Sequence, residues 1–286
     1  MPLEKGFAPA KVNLALHVTG RRKDGYHELD SLVAFAGVGD QIAALPGHDL
    51  SLVVGGPFAE GVPANGDNLI LRAAERLRAM RGVTQGAQLR LTKSLPAAAG
   101  VGGGTSDAAA ALTLLAEMWG VEPLAPDAPE AMELGADLPV CLSAPRAIRM
   151  GGAGEALEAA PALPSAGIVL VNPKVPVPTA EVFARLASRD NPGLEPMPGT
   201  WDFEGFAAWL SRQRNDLAEP ATGIAPEVGR VLDRLKRMPQ VKASGMSGSG
   251  ATCWGLVKDM GAARQVARVI QIAEMNWWVA PAPLLN

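Results

Sequence analysis

Alternating apolar residues open the chain. Val12, Leu14, Leu16 and Val18 share one face of a strand predicted over residues 7–18, and Pro9, Lys11 and Asn13 belong to its beginning. A charged turn follows, Gly20-Arg-Arg-Lys-Asp-Gly25, and Tyr26-His27-Glu28-Leu29 starts a second extended segment. Residues 40–45 and 50–54 read as further strands separated by the Pro46-Gly47 turn. The period then changes: over 68–81, Leu69, Ala73, Leu77 and Met80 recur at helical spacing. Residues 87–92 alternate again as a strand and deliver Lys93 to the edge of a glycine-rich loop. That loop leads into an alanine-rich helix reaching Trp119, whose start the pattern places at Thr105 or Ser106.

The second half repeats the mixture. A helix is predicted at 129–135, then the short loop Gly135-Ala136-Asp137-Leu138-Pro139, then a strand at 147–150. Ala/Pro-rich sequence after Glu155 suggests a division there, giving units 1–155 and 156–286. Strands follow at 167–171, 253–257 and 277–279, with helices at 179–188, 203–213, 226–237 and 261–275. Lys242 to Thr252 forms a second Gly/Ser loop that enters the strand at 253. No fixed-period repeat or charge run occurs, and grouped strands and helices argue an α+β fold of two units rather than strict βαβ alternation.

With 286 residues the chain can bury a full core, and 48% hydrophobic against 19% charged residues excludes wholesale disorder. A net charge of −3 gives no basic footprint, so nucleic acid is not the expected partner. Cys141 and Cys253 lack metal-ligand spacing and read as buried thiols. Neither a leader-like start nor a bilayer-length apolar run is visible, so a cytoplasmic location with no membrane contact is expected.

The chemistry centres on Pro96-Ala97-Ala98-Ala99-Gly100-Val101-Gly102-Gly103-Gly104-Thr105-Ser106. Glycines let several peptide N–H groups turn toward one point, and a following helix adds its own unpaired N–H groups and positive dipole end. Between a strand and a helix, such a loop can cradle phosphate; a flexible loop before a capped helix is the plainer alternative. No lysine follows Gly104, which excludes a Walker loop. Thr105 stands where a dinucleotide fingerprint needs its third glycine, which disfavours an oxidoreductase. No His-Arg-Asp triplet occurs, which excludes the protein-kinase signature. Lys11 and Asp137 are lone charges in apolar surroundings; each reads either as a surface charge or as half of a cation–carboxylate pair. Tyr26 is the only tyrosine and His27 one of three histidines; together they read either as a half-buried strand pair or as a surface for a flat base.

The pattern Pro-x-x-x-Gly-Val-Gly-Gly-Gly-Thr-Ser-x-Ala-Ala resembles the central motif of the GHMP kinases, which implies a two-domain α+β fold with a ribosomal-protein-S5-like first domain and a ferredoxin-like second. Pro9-Ala-Lys-Val-Asn-Leu14, Asp24-Gly-Tyr-His27, Asp67-Asn-Leu-Ile70, Gly135-Ala-Asp-Leu-Pro139, Asn215-Asp-Leu217 and Ser244 to Gly250 extend the match in family order. They are similar to the branch whose members phosphorylate a hydroxyl of a cytidine-diphosphate-linked alcohol with ATP and Mg²⁺. That resemblance implies Asp137 as base and Lys11 as the cation paired with it beside the transferring group. It places Asn13 among the reacting groups, and Tyr26, His27, Phe183 and Thr179 around the cytidine. It places residues 96–106, with Asn68 and Lys93, on the nucleotide. No metal ligand is implied; the acid at Asp107 reads as a charge at a helix start. Kinases of homoserine, mevalonate or a sugar, and a non-catalytic nucleotide sensor on the same fold, are the alternatives. The first group has no use for Tyr26, His27 and Phe183, and a sensor has no use for both Lys11 and Asp137.

Overall fold

In the computed structural model, which describes residues 3–97 and 99–286, the opening alternation extends into a strand of 15 residues, β1 (Phe7–Arg21). It is buried on both faces rather than one. The reason is packing: Ala8 joins one core cluster, Ala10 to Ala15 a second, and Leu16 and Val18 a third. β1 runs antiparallel to β2 (His27–Gly47) with register shifts at three places. The strand predicted at 40–45 is the far end of β2, not a separate element. Its different stretches pair β4 (Gly86–Thr92) and β5 (Ile148–Gly152), while β3 (Leu50–Gly55) lies parallel to β4 after the crossover helix α1 (Leu69–Met80).

Above this sheet lies α2 (Gly103–Trp119), whose buried Ala108, Ala109, Ala111 and Ala116 allow close approach, with Leu112 and Leu115 filling between. Two short helices follow, α3 (Pro129–Leu134) and α4 (Leu138–Leu142). The hairpin of β5 and β6 (Ala156–Ala159) straddles residue 155, and both strands belong to the first sheet. We therefore propose that the division between the two units falls in the linker 160–166 rather than at 155.

The second sheet has the order β10-β7-β9-β8, all antiparallel. Its strands are β7 (Gly167–Asn172), β8 (Ala243–Met246), β9 (Cys253–Val257) and β10 (Trp278–Pro283). Around it pack α5 (Thr179–Ala184), α6 (Phe203–Leu210), α7 (Ala218–Ile224), α8 (Pro226–Lys236) and α9 (Met260–Ala273). The two sheets meet across β1. Trp254 on β9 donates its indole N–H to the Asn13 carbonyl (3.1 Å), and Leu16 exchanges backbone bonds with Arg214 and Asp216 (both 2.9 Å). The seam between the two units is therefore floored by the strand that carries Lys11 and Asn13. Among the described residues no helix is long and apolar enough to cross a membrane.

Candidate active site

The glycine loop turns at two left-handed residues, Gly100 (φ +76°) and Gly102 (φ +62°). Gly102 is the N-cap of α2 and offers no side chain to the helix, so the N–H groups of the first turn stay open to an incoming anion. The helix thus begins at Gly103, two residues before the earliest expected start. Asp107 consequently leaves the first turn, and its reading as a helix-start charge does not hold: it is buried and paired with Lys93 at 2.9 Å.

The second Gly/Ser loop locks the first. Ser247 Oγ accepts the Asn13 N–H (3.0 Å) and donates to the Gly100 carbonyl (2.8 Å), while the Thr252 N–H reaches the Ala99 carbonyl (3.1 Å). The fit leaves no room for a side chain: a Cβ on Gly100 would stand 2.5 Å from the Gly250 carbonyl oxygen and 2.6 Å from that of Ser247. Gly100→Ala combines this clash with a left-handed backbone that costs about 1–3 kcal/mol for a non-glycine residue. It is expected to lower the melting temperature by several degrees; an unchanged melting curve would contradict the close contact of the two loops.

Against the cradle, Lys11 Nζ donates to Asp137 Oδ1 at 2.8 Å. The lysine side chain is 5% exposed and the carboxylate 39%, so the cation is fixed while the acid keeps a face toward the cleft. Asp137 is the N-cap residue of α4, yet its side chain makes no capping bond, leaving the second oxygen free for other chemistry. Beside it Asn13 donates to Ser31 Oγ (2.8 Å), which donates on to the Ala15 carbonyl (2.6 Å). The other end of that amide, Asn13 Oδ1, is buried without a donor.

The third wall is aromatic. His27 and Phe183 stack with centroids 4.7 Å apart at 26°, and Tyr26 stands 61% exposed. Burial, with Arg21 and Arg189 adding to it, holds the His27 imidazole below its ordinary pKa, so near pH 7 it is neutral and offers one donor and one acceptor. Thr179 shares a hydrogen bond of 2.7 Å with Ser249, joining α5 to the second loop. Cradle, ion pair and aromatic wall line one cleft of about 1000 Å³, room for two ligands at once.

Comparison with known proteins decides the family. The model for the GHMP kinase N-terminal domain matches residues 68–144, and that for the C-terminal domain residues 202–274. The 4-diphosphocytidyl-2-C-methyl-D-erythritol kinase of Cereibacter sphaeroides is 52% identical over 99% of this chain and 100% of its own length. That of Paramagnetospirillum magneticum is 50% identical, with 98% of each chain covered. A crystal structure of 4-(cytidine 5'-diphospho)-2C-methyl-D-erythritol kinase superposes with a TM-score of 0.79 at 31% identity, covering 98% of both chains. The chain belongs to the 4-diphosphocytidyl-2-C-methyl-D-erythritol kinases. Mevalonate kinase from L. major, at 14% identity and a TM-score of 0.67, shares the fold.

This kinase brings Lys11, Asn13, Tyr26, His27, Thr179, Phe183, Gly100, Gly102, Thr105 and Asp137 to its cleft. Of the described residues expected on the nucleotide, Gly100, Gly102 and Thr105 line it; Asn68, Lys93 and the rest of the loop, Ala99 included, do not. Lys93 is 3% exposed, with its ammonium between Asp40 and Asp107. Asn68 caps α1, accepting from the Ile70 N–H (2.9 Å) and donating to the Pro63 carbonyl (2.6 Å). Within the loop, Pro96 is buried, Ala97 is exposed and Ala98 lies outside the described residues. Val101 gives its carbonyl to the Lys11 N–H (2.9 Å), and Gly103 and Gly104 open α2. Ser106 donates to the Pro9 carbonyl (2.7 Å), tying α2 to β1. Sequence reasoning passed over Ser31, and met Ser247 and Asn215 only as parts of the family match, with no role given. The last holds the second loop through the Met246 (2.8 Å) and Gly248 (2.9 Å) carbonyls. The Gly/Ser composition of that loop and its place in the family match were the signals present in the sequence.

Proposed function

We propose that in this 4-diphosphocytidyl-2-C-methyl-D-erythritol kinase of the non-mevalonate isoprenoid route, Asp137 takes the proton of the substrate's C2 hydroxyl. That oxygen attacks the γ-phosphorus of ATP, the bond to the β,γ-bridging oxygen breaks, and the 2-phosphate and ADP result. The observation that carries the reading is the 2.8 Å Lys11–Asp137 pair standing in the same cleft as the glycine cradle and the aromatic wall. Phosphoryl transfer asks a protein mainly for positioning and charge, and these three walls supply both.

Lys11 acts through Asp137, giving the carboxylate a fixed counter-charge and aim. The unpartnered Asn13 Oδ1 accepts from a substrate hydroxyl, a donor it lacks in the free protein. The loop from Gly100 to Ser106 holds the phosphates of ATP on its N–H groups. Mg²⁺ enters with the nucleotide. Among the described residues no three His, Cys, Asp or Glu side chains form a metal cluster. Thr105, which lines the cleft, would offer the ion a hydroxyl oxygen, while Asp137 stays free to act as the base. When bound, the ion neutralises charge on the β- and γ-phosphates.

The neutral His27 reads the polar edge of cytosine, and Tyr26 and Phe183 supply flat apolar surface. Phe183→Ala removes that surface and is expected to raise the KM for the cytidine substrate about 10-fold, leaving the KM for ATP unchanged; stacked rings are worth about 0.5–1.5 kcal/mol beyond their buried area. Steady-state kinetics with each substrate varied in turn checks this. An ADP-release assay tests the whole reading: the cytidine substrate supports turnover and a cytidine nucleotide inhibits, whereas homoserine and mevalonate do neither. Turnover with homoserine or mevalonate would overturn it.

A further inference from the structure

A short arm, residues 173–177, joins the second sheet to the aromatic wall. It leaves the end of β7 and delivers the chain to α5, which carries Thr179 and Phe183. Pro173 and Pro176 within the arm, and Pro178 at the N-cap of α5, have fixed φ and no N–H to give, so the arm is stiff. Among the described residues the backbone of 173–177 makes one hydrogen bond: the Lys174 N–H donates to Asn172 Oδ1 at 2.7 Å. Lys174 is also, among the described residues, the one non-glycine residue with a left-handed backbone (φ +57°). Such a conformation is strained and persists only where its surroundings hold it. The direction in which the arm leaves the sheet is set at its base, by the Asn172 side chain.

Asn172 is itself held. It is 3% exposed, and its Nδ2 donates at 2.9 Å to the hydroxyl of Thr252, which is 0% exposed. Thr252 belongs to the second Gly/Ser loop, where its N–H reaches the Ala99 carbonyl and its own carbonyl accepts the Ser247 N–H (2.9 Å). One amide therefore uses both ends: the oxygen fixes the turn of the arm, and the nitrogen ties that turn to the loop beneath the cradle. Removing either partner leaves the other buried and unsatisfied. Neither Asn172 nor Thr252 lines the cleft, whereas Val177, Pro178, Thr179 and Phe183 do. Their effect on a ligand has to pass through the arm.

We propose that Asn172, with Thr252, is a positioning residue for the cytidine substrate: it aims the proline arm, and through it Thr179 and Phe183, at the place where the base is held. This rests on reading the aromatic wall as the cytidine site. An arm kept extended by proline advances about 3 Å per residue, so a tilt of about 10° at Lys174 moves its tip by about 2–3 Å. That is enough to lose the face of a stacked ring. The cradle is spared, because its bonds at Ala99 and Gly100 come from the Thr252 N–H and from Ser247, not from the Thr252 hydroxyl. Asn172 acts on one substrate and not on the other.

The test separates the two ligands. Calorimetry follows cytidine diphosphate binding to the full-length protein, and steady-state rates give the KM of each substrate. Asn172→Ala is expected to weaken cytidine diphosphate about 5–10-fold and to raise the KM for the cytidine substrate by the same factor, with turnover and the KM for ATP within about twofold of wild type. Thr252→Val keeps the shape and the N–H but removes the hydroxyl, and shifts the same two quantities by about threefold. The double variant is within about twofold of Asn172→Ala, since both changes act through one bond. Unchanged cytidine diphosphate affinity in Asn172→Ala, or a rise of both KM values together, overturns the proposal and leaves the cytidine site standing. If Asn172→Ala does not fold, Thr252→Val decides alone: a shift confined to the cytidine ligands supports the proposal, and no shift overturns it. A wild type that does not bind cytidine diphosphate removes the cytidine reading itself and the proposal with it.

Discussion

Asp137→Asn lowers turnover by about 10²–10⁴-fold, the range for a lost acid–base group, and leaves the KM for ATP within about twofold of wild type. The substitution keeps the shape of the side chain. An amide oxygen at this position still accepts from Lys11 Nζ, which now reaches Asp137 Oδ1 at 2.8 Å, so the buried ammonium keeps a partner. Asp137 makes no capping bond to α4, so no helix end is undone by the change. What disappears is the ability to take a proton from the attacking hydroxyl. The cradle proposed for ATP is built from other segments, the two Gly/Ser loops, and does not depend on the charge at 137. Initial rates and a melting curve check both halves of the statement. Near-normal turnover in a folded Asp137→Asn protein would exclude this carboxylate as the base.

Lys11→Met is the second large effect, and it separates charge from packing. The lysine stem lies against the cradle: a Cβ on Gly102 would meet Lys11 carbons at 3.2–3.4 Å. Methionine keeps most of that stem and removes the ammonium. Turnover is expected to fall by at least ~10²-fold with the KM for ATP little changed, because Asp137 loses its fixed counter-charge while Gly102 keeps its support. Lys11→Ala removes both, so the same loss of turnover comes with a KM for ATP raised several-fold. A rise in KM alone, with turnover intact in both variants, would make Lys11 a binding residue only.

Local sequence carried the elements that obey one period over many residues. α1 and β4 fall within two residues of their expected bounds because a single face of each meets a core. β2 read as two pieces because its 21 residues change partners along the way, pairing β5 near one end and β4 near the other. α4 and α7 are short helices containing Pro139 and Pro220, held by packing rather than propensity, and nothing in their composition announces a helix. The same split runs through the site. Glycine spacing marks the cradle, since backbone freedom is a local property. The partners of Lys93 are not local: Asp40 lies 53 positions away, and its pairing with Lys93 and Asp107 follows from which strands the sheet sets side by side. Sequence placed Lys93 beside the loop correctly, but burial behind α2 gives its ammonium to two carboxylates instead of to the cleft.

One measurement asks most directly whether the two charges on the cleft wall, 126 positions apart in the chain, work as a unit. It is the turnover number of the Lys11→Met, Asp137→Asn double variant beside those of the two single variants. If Lys11 acts through Asp137, the double variant is no more than about fivefold slower than the worse single one. If the losses instead multiply, to about 10⁴-fold or more, the two groups serve the reaction independently and the account of the pair is wrong.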